Sequence, residues 1–296
     1  MNISYKLMSS LSFEDAHVLF NKGFEGYLVP MNLSFDTFVS RFGNAGLSPA
    51  LSIVAYNGTE PIGFVLQGIR EVNGQKISWN GGTGIIPEYR GRKLGYSLMV
   101  EAEKLLRGHN VTVATLESLS ENKAAISLYE RCGYKVEDDL LFLSANEVLD
   151  STSPNLDGYE VTRIPAAQSI GSDLFPTIVP WQTDPSNTPI IGGEAVMLTK
   201  NGEVQAACLI RKQCVFGNET ESITLYQVKE NGNEDALNKL LAYALEYDQS
   251  INRTTYNFLK GNDRVVSSLL ASGFENTSIS QVFMTKVFGN TRMIGR

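Results

Sequence analysis

The sequence predicts a mixed α/β (α+β) chain built as two similar halves, and three observations carry that expectation. Apolar, β-rich runs flank Asn57-Gly58 and again Asn201-Gly202; Asn-Gly between such runs is a strong hairpin signal. A helical stripe follows each hairpin, with Leu94, Leu98, Ala102 and Leu105 in the first half and Leu237, Leu240, Leu241, Ala244 and Leu245 in the second. The run from Asn122 to Gly133-Tyr134 recurs without a gap from Asn262 to Gly273-Phe274, about 140 residues further on. The three offsets agree within a few residues, as a duplication with short loop changes requires.

Size and composition fit this plan. The 296 residues suit two domains of ordinary size, and 43% hydrophobic content supplies two cores. The polar stretch Asn146–Gly158, which holds Ser151-Thr152-Ser153-Pro154-Asn155, marks the boundary and gives domains 1–146 and 157–296. A net charge of −7 argues against nucleic acid as the main partner. No apolar run approaches the ~20 residues of a membrane helix, and Met1–Ser10 lacks the basic-then-apolar order of a secretory signal. Neither a membrane nor a nucleic-acid partner is therefore expected. Three unpaired-looking cysteines, Cys132, Cys208 and Cys214, point to a reducing cytoplasm. With two His and these scattered Cys, no metal site is expected.

Along the first half, His17 falls in a helical pattern with Phe13, Ala16 and Phe20 and is read as structural. Gly81, Gly82 and Gly84 suggest a strand break or bulge. The segment Gly84 to Met99 then reads as an apolar strand end, a Pro stop, a loop mixing Gly with Arg90, Arg92 and Lys93, and a helix start. That order gathers unpaired N–H groups, the helix dipole and cations at one point, which suits a phosphate or pyrophosphate. A Walker loop is excluded because Lys93 is followed by Leu94-Gly95, and a dinucleotide fingerprint because Gly91 and Gly95 lack its spacing. Downstream, the β-rich run Val111–Glu117 precedes the helix Lys123–Cys132, for which Asn122 is a natural N-cap and Gly133 a stop.

Two motifs resemble the GNAT superfamily of N-acetyltransferases. Arg90-Gly91-Arg92-Lys93-Leu94-Gly95 is similar to its acyl-CoA loop, Gln/Arg-x-x-Gly-x-Gly/Ala, with Lys93 where the family usually has Gly. Asn122 to Tyr134 is similar to its Asn-x-x-Ala-x-x-Leu-Tyr-x-x-x-Gly-Phe/Tyr. They occur in order, separated by one helix and one strand, and the resemblance extends to Ser144.

The resemblance implies that each half is a twisted, mostly antiparallel sheet with helices on both faces. It implies acetyl-CoA as co-substrate and direct transfer of its acetyl group to an amine of a small molecule or peptide. Arg90, Gly91, Arg92, Lys93, Leu94, Gly95 and Tyr96 would ring the pyrophosphate. The strand end Gly84, Ile85 and Ile86 would offer its backbone to the pantetheine arm, and Asn122 would touch the CoA arm. Tyr129 would protonate the leaving thiolate, and Glu117 is the candidate base. Packing is the plainer reading for Tyr129, which shares a stripe with Ala125, Leu128 and Cys132. A strand-end surface residue is the plainer reading for Glu117. The acceptor would be set by residues 21–46; its identity and the oligomeric state are not given by the sequence.

The second half reads as a degenerate copy. Asn231-Gly232-Asn233-Glu234-Asp235-Ala236-Leu237 places two carboxylates where the first half has Arg92 and Lys93, and Leu269 replaces Tyr129. Its Pro176–Pro189 segment around Trp181 is read as a surface loop, with packing over the interface between the halves as the alternative. Two other functions stay open: a non-catalytic acyl-CoA-binding or sensing protein, and an acyltransferase using a different donor.

Overall fold

Residues 1–187, 192–215 and 219–289 are described in a computed structural model of the chain. In chain order the first elements are β1 (Ile3–Leu7), α1 (Phe13–Gly23), α2 (Phe35–Asn44), β2 (Ile53–Asn57), β3 (Glu60–Val72) and β4 (Gln75–Ile85). They continue with α3 (Leu94–Gly108), β5 (Val113–Leu119), α4 (Lys123–Arg131), β6 (Lys135–Ala145) and β7 (Glu160–Pro165). Then come β8 (Glu194–Lys200), β9 (Glu203–Cys214), β10 (Thr220–Glu230), α5 (Glu234–Ala244), β11 (Asn252–Thr255), β12 (Phe258–Leu259), α6 (Asp263–Ala271) and β13 (Glu275–Val287). The order β2-β3-β4-α3-β5-α4-β6 recurs as β8-β9-β10-α5-β11-α6-β13, with the short β12 added, whereas α1 and α2 have no α-helical counterpart among the described residues.

The chain forms two compact units. Unit 1 holds Met1–Glu137 and the segment from Phe283 onward, and unit 2 holds Asp138–Val282. The polar stretch 146–158, expected as the boundary, lies inside unit 2. The physical reason is that β6 and β13 are long strands, each contributing one end to each unit. A composition shift marks a loop, but a strand shared between units carries no compositional mark.

In unit 1 the strands run β1-β2-β3-β4-β5, followed by the end of β13. The β1–β2, β2–β3 and β3–β4 pairs are antiparallel and β4–β5 is parallel. Helices cover both faces, because successive residues of a strand point to opposite sides. Phe64 of β3 stacks on Phe20 of α1, with ring centroids 5.6 Å apart. At the next position, a Cβ on Gly63 would stand 3.1 Å from Leu98 of α3. His17 is structural as expected: its Nε2 lies 2.7 Å from the Leu33 carbonyl and its ring sits between Phe35 and Phe38.

The end of β13 is built into unit 1. Phe288 N–H donates to the Thr112 carbonyl at 2.8 Å, just before β5. Lys286 pairs with Glu103 of α3 and donates to the Cys132 carbonyl at 2.6 Å, at the end of α4. One side chain thus ties both site-bearing helices.

In unit 2 the order is β6-β11-β10-β9-β8-β7, with β12 also on β6. Here too one pair, β10–β11, is parallel and the others are antiparallel. The Asn201-Gly202 hairpin joins β8 to β9 with both turn residues at positive φ, 54° and 78°. The Pro-rich segment is not a surface loop: Val179, Trp181, Thr183, Asp184 and Asn187 are buried. Its backbone is held inside the unit, where Gln227 Nε2 donates to the Thr183 carbonyl at 2.7 Å. Pro189 lies outside the described residues. Arg253, fully buried, donates to five backbone carbonyls, those of Leu245, Glu246, Glu147, Gln249 and Ile251.

Candidate active site

The site starts where two strands part. Between the pairs Gln67↔Asn80 and Leu66↔Gly82, β4 carries an extra residue, Gly81. The ladder from β4 to β5 stops at the same place, with Asn80↔Leu116 as its last pair. Beyond it, β4 stays on β3 as far as Ile85↔Gly63 but has no ladder to β5. A bulge bends and twists its strand; here it opens a backbone edge on which an extended ligand can lie as an added strand. The cleft that results has a volume of about 780 Å³. Thr83 and Ile85 line it from β4, Gly91 and Lys93 to Tyr96 from the loop and α3, and Asn122, Leu128 and Tyr129 from the α4 side.

The α3 N-terminus opens into this cleft. Its N-cap is Lys93, at φ 60° and ψ 11°, and no side chain caps the helix. Ser97 N–H turns back onto the Lys93 carbonyl at 3.4 Å, so the amides of Leu94, Gly95 and Tyr96 form the unpaired first turn. An L residue in this left-handed region costs roughly 1–2 kcal/mol, which explains the usual Gly at this position. Gly91, at φ 74°, makes the preceding turn. Gly95 has a packing reason as well: a Cβ there would lie 3.0 Å from Leu128 of α4.

Several expected ligand contacts take another form. The Arg90 guanidinium does not reach out as a phosphate fork. It donates to the carbonyls of Ile85 at 2.9 Å, Gly23 at 3.1 Å and Glu25 at 2.7 Å, pinning the end of α1 to the end of β4. Its own N–H donates to Pro87. Arg92 is exposed and lies over the Tyr89 ring, 5.5 Å from its centroid. Ile86 is buried with its N–H on the Ile62 carbonyl, and Gly84 lets Phe64 and Gly23 approach the strand. Gly84, Ile86 and Arg92 stand outside the cleft wall.

Asn122 caps α4 as predicted, its Oδ1 accepting from Ala125 N–H at 3.1 Å, and Gly133 ends the helix at φ 88°. Between these signals Tyr129 is buried, only 8% exposed, with its ring 6.1 Å from Tyr134. Burial pushes its phenol up to about 12, against a smaller opposing pull from the Thr83 hydroxyl. Glu117 is not part of the cleft wall. It sits on β5 just past the last β4 pair and takes the Trp79 indole N–H at 2.6 Å. Phe24, Gly26 and Tyr27 complete the cleft from the loop after α1. The sequence reading missed Thr83 and Asn80. The available signal was a pair of polar residues three apart in a glycine-rich strand, which only a bulge turns to one side.

In the corresponding corner of unit 2, side chains turn back onto the chain's own amides. Asn233 caps α5 by accepting from Ala236 N–H at 3.1 Å, Asn231 Oδ1 accepts from Asn233 N–H at 3.2 Å, and Glu230 accepts from Gly232 N–H. Glu230, Glu234 and Asp263 line the adjacent hollow with one cation, Arg264, which pairs with Glu230. Such a corner repels an anion where the α3 corner invites one.

Residues 19–134 match the model of the acetyltransferase (GNAT) family. An acetyltransferase of Sodalis glossinidius is 29% identical over 102 residues, spanning 34% of this chain and 69% of that protein. Among solved structures, a tandem GNAT protein from the clavulanic acid biosynthesis pathway aligns over 97% of this chain and 99% of its own, with a TM-score of 0.59 at 16% identity. A GCN5-related N-acetyltransferase from Sphaerobacter thermophilus aligns over 97% and 96%, with a TM-score of 0.58 at 14% identity. The chain has a tandem GNAT fold, and its residues 19–134 match the acetyltransferase (GNAT) family model.

Proposed function

We propose that the chain transfers an acetyl group from acetyl-CoA to an amine of a small molecule or peptide, and that unit 1 alone carries this chemistry. The observation that supports this best is the joining, in one cleft, of an uncapped helix N-terminus, an unpaired strand edge and a buried phenol. The amides of Leu94, Gly95 and Tyr96 and the Lys93 ammonium bind the pyrophosphate. The pantetheine arm lies along β4 at Thr83–Ile85 as an added strand, passing Asn122.

The amine arrives protonated and loses its proton through water to Glu117, which lies behind the cleft wall and is oriented by the Trp79 indole. It attacks the thioester carbonyl, the C–N bond forms and the C–S bond breaks. Tyr129 gives its proton to the departing sulfur. A phenol near 12 is a weak acid beside a thiol of about 8.5. The same burial that raises Tyr129 raises the thiol, however, so the two proton affinities move together. No acyl-enzyme is required.

Tyr129→Phe tests the acid. Acetyl-CoA affinity should change little, while kcat falls by about 10²–10⁴, the usual range for a lost general acid. The pH profile adds a second check. An acid is active while protonated, and a group near 12 is still protonated at pH 9. Wild-type kcat should thus show no alkaline loss up to pH 9, and its acidic limb should follow deprotonation of the amine and its base. An acceptor can be found by screening amines for CoA thiol release. A Tyr129→Phe enzyme with wild-type kcat across pH 6–9 would rule the acid role out.

A further inference from the structure

We propose that the Phe24 ring is a specificity-determining wall that confines the donor to short acyl groups, acetyl first among them. Such a wall rests on the acetyl-CoA reading above and deepens it. The free edge of β4 begins after the last ladder pair, Asn80↔Leu116, and runs to Ile85. At ~3.3 Å per residue, the stretch 81–85 spans roughly 16 Å. A pantetheine arm has about 13 bonds from phosphorus to sulfur, and at roughly 1.2 Å per extended bond it reaches about 16 Å. With its phosphate at the α3 N-terminus, the sulfur arrives where β4 and β5 join, and the acyl group lies just beyond.

An acyl chain cannot continue straight on, because the ladder closes the gap between the strands. It has to turn toward one face of the sheet. The α3 face is occupied. Asn80 Nδ2 donates to Thr83 Oγ1 at 2.9 Å and lies 3.6 Å from the Met99 sulfur, which is 3.8 Å from Thr83 Oγ1. Gly82 N–H donates to Asn80 Oδ1 at 3.0 Å, so both ends of the amide are engaged. Asn80 and Met99 are buried. Pushing that amide aside would leave buried polar groups unpaired, which costs more than a short tail gains.

The α1 face is closed by one ring. Phe24, half-buried, lines the cleft and lies flush on the bulge: a Cβ on Gly82 would stand 3.4 Å from its Cζ and 3.9 Å from Leu66 of β3. The rings of Phe20, Tyr27 and Phe64 surround it, with centroids 4.8, 5.2 and 5.8 Å away. Phe20 and Phe64 are fully buried, so Phe24 cannot sink toward the core without displacing them. Its backbone is fixed on either side, because Arg90 holds the carbonyls of Gly23 and Glu25. A methyl group ends before this ring, whereas a propyl or heptyl tail runs into it.

The test needs no acceptor. Free CoA, acetyl-CoA, butyryl-CoA and octanoyl-CoA are bound to the full chain, and their affinities are compared by calorimetry. Free CoA carries no acyl group, so it reports the arm and the phosphates alone. In the wild type, affinity should fall about tenfold or more from acetyl-CoA to octanoyl-CoA, since an overpacked group must displace its neighbours. Phe24→Ala removes that clash and should bring octanoyl-CoA within about threefold of acetyl-CoA, with free CoA unchanged. Phe24→Leu keeps the apolar packing but loses the reach of the ring; it should admit butyryl-CoA and still reject octanoyl-CoA. A thermal shift on adding free CoA checks that each variant folds. A wild type that binds octanoyl-CoA as tightly as acetyl-CoA would overturn the proposal. So would discrimination that persists unchanged in every Phe24 variant that binds free CoA, because the limit would then lie in another wall. If free CoA and acetyl-CoA both fail to bind the wild type, the acetyl-CoA reading itself falls, and the wall with it.

Discussion

At the residue scale, Lys93 shows how one backbone angle and one charge share a position. Its φ of 60° is strained for an L residue and placed at the N-terminus of α3. Lys93→Gly removes the strain and the ammonium together. Unfolding in denaturant should show a gain of about 1 kcal/mol without ligand, the left-handed penalty less the extra chain entropy of Gly. CoA affinity should meanwhile fall severalfold, because the loop amides survive and one cation is lost. A variant that binds CoA as tightly as the wild type would show that the amides alone hold the phosphate. Arg90 carries the opposite lesson. Its sequence position promised a phosphate contact, yet three carbonyls already occupy its guanidinium. A side chain's charge is legible in a sequence, whereas the partner it finds across the fold is not.

At the element scale, most of what was legible was local. Asn201-Gly202 made its hairpin, Asn122 its cap, Gly133 its stop, and the helical stripes became α3, α4 and α5 within a few residues. Each of those signals is satisfied by neighbours in the chain. What escaped was set by distant pairing. The bulge at Gly81 exists relative to β3, the open edge of β4 relative to β5, and the buried Trp181 segment relative to Gln227. The end of β13 belongs to the same class. Phe288 and Lys286 anchor it beside β5, α3 and the end of α4. A chain ending at residue 282 should therefore lose the fit of α4 against α3, and with it Tyr129. Its thermal shift with CoA should vanish, although every cleft residue is still present. Full CoA binding by that shortened chain would show that the last strand is dispensable to the site.

At the scale of the whole molecule, two copies of one plan have diverged at one corner. The first leaves a helix N-terminus unpaired and surrounds it with glycine, a lysine and an open strand edge. The second caps the Ala236 amide with Asn233, turns Asn231 and Glu230 onto the amides of the preceding loop, and lines the hollow mainly with carboxylates. A free helix N-terminus costs stability that a ligand recovers; a side-chain cap and nearby carboxylates leave less for an anion to gain. One acetyl-CoA per chain is therefore expected. Calorimetric titration of the full-length protein with CoA tests this most directly. The expected stoichiometry is one. Lys93→Glu should weaken that site at least tenfold by placing an anion beside the pyrophosphate, and Asp235→Ala should leave it unchanged. Two equivalent sites, or a single site indifferent to Lys93→Glu, would contradict the assignment.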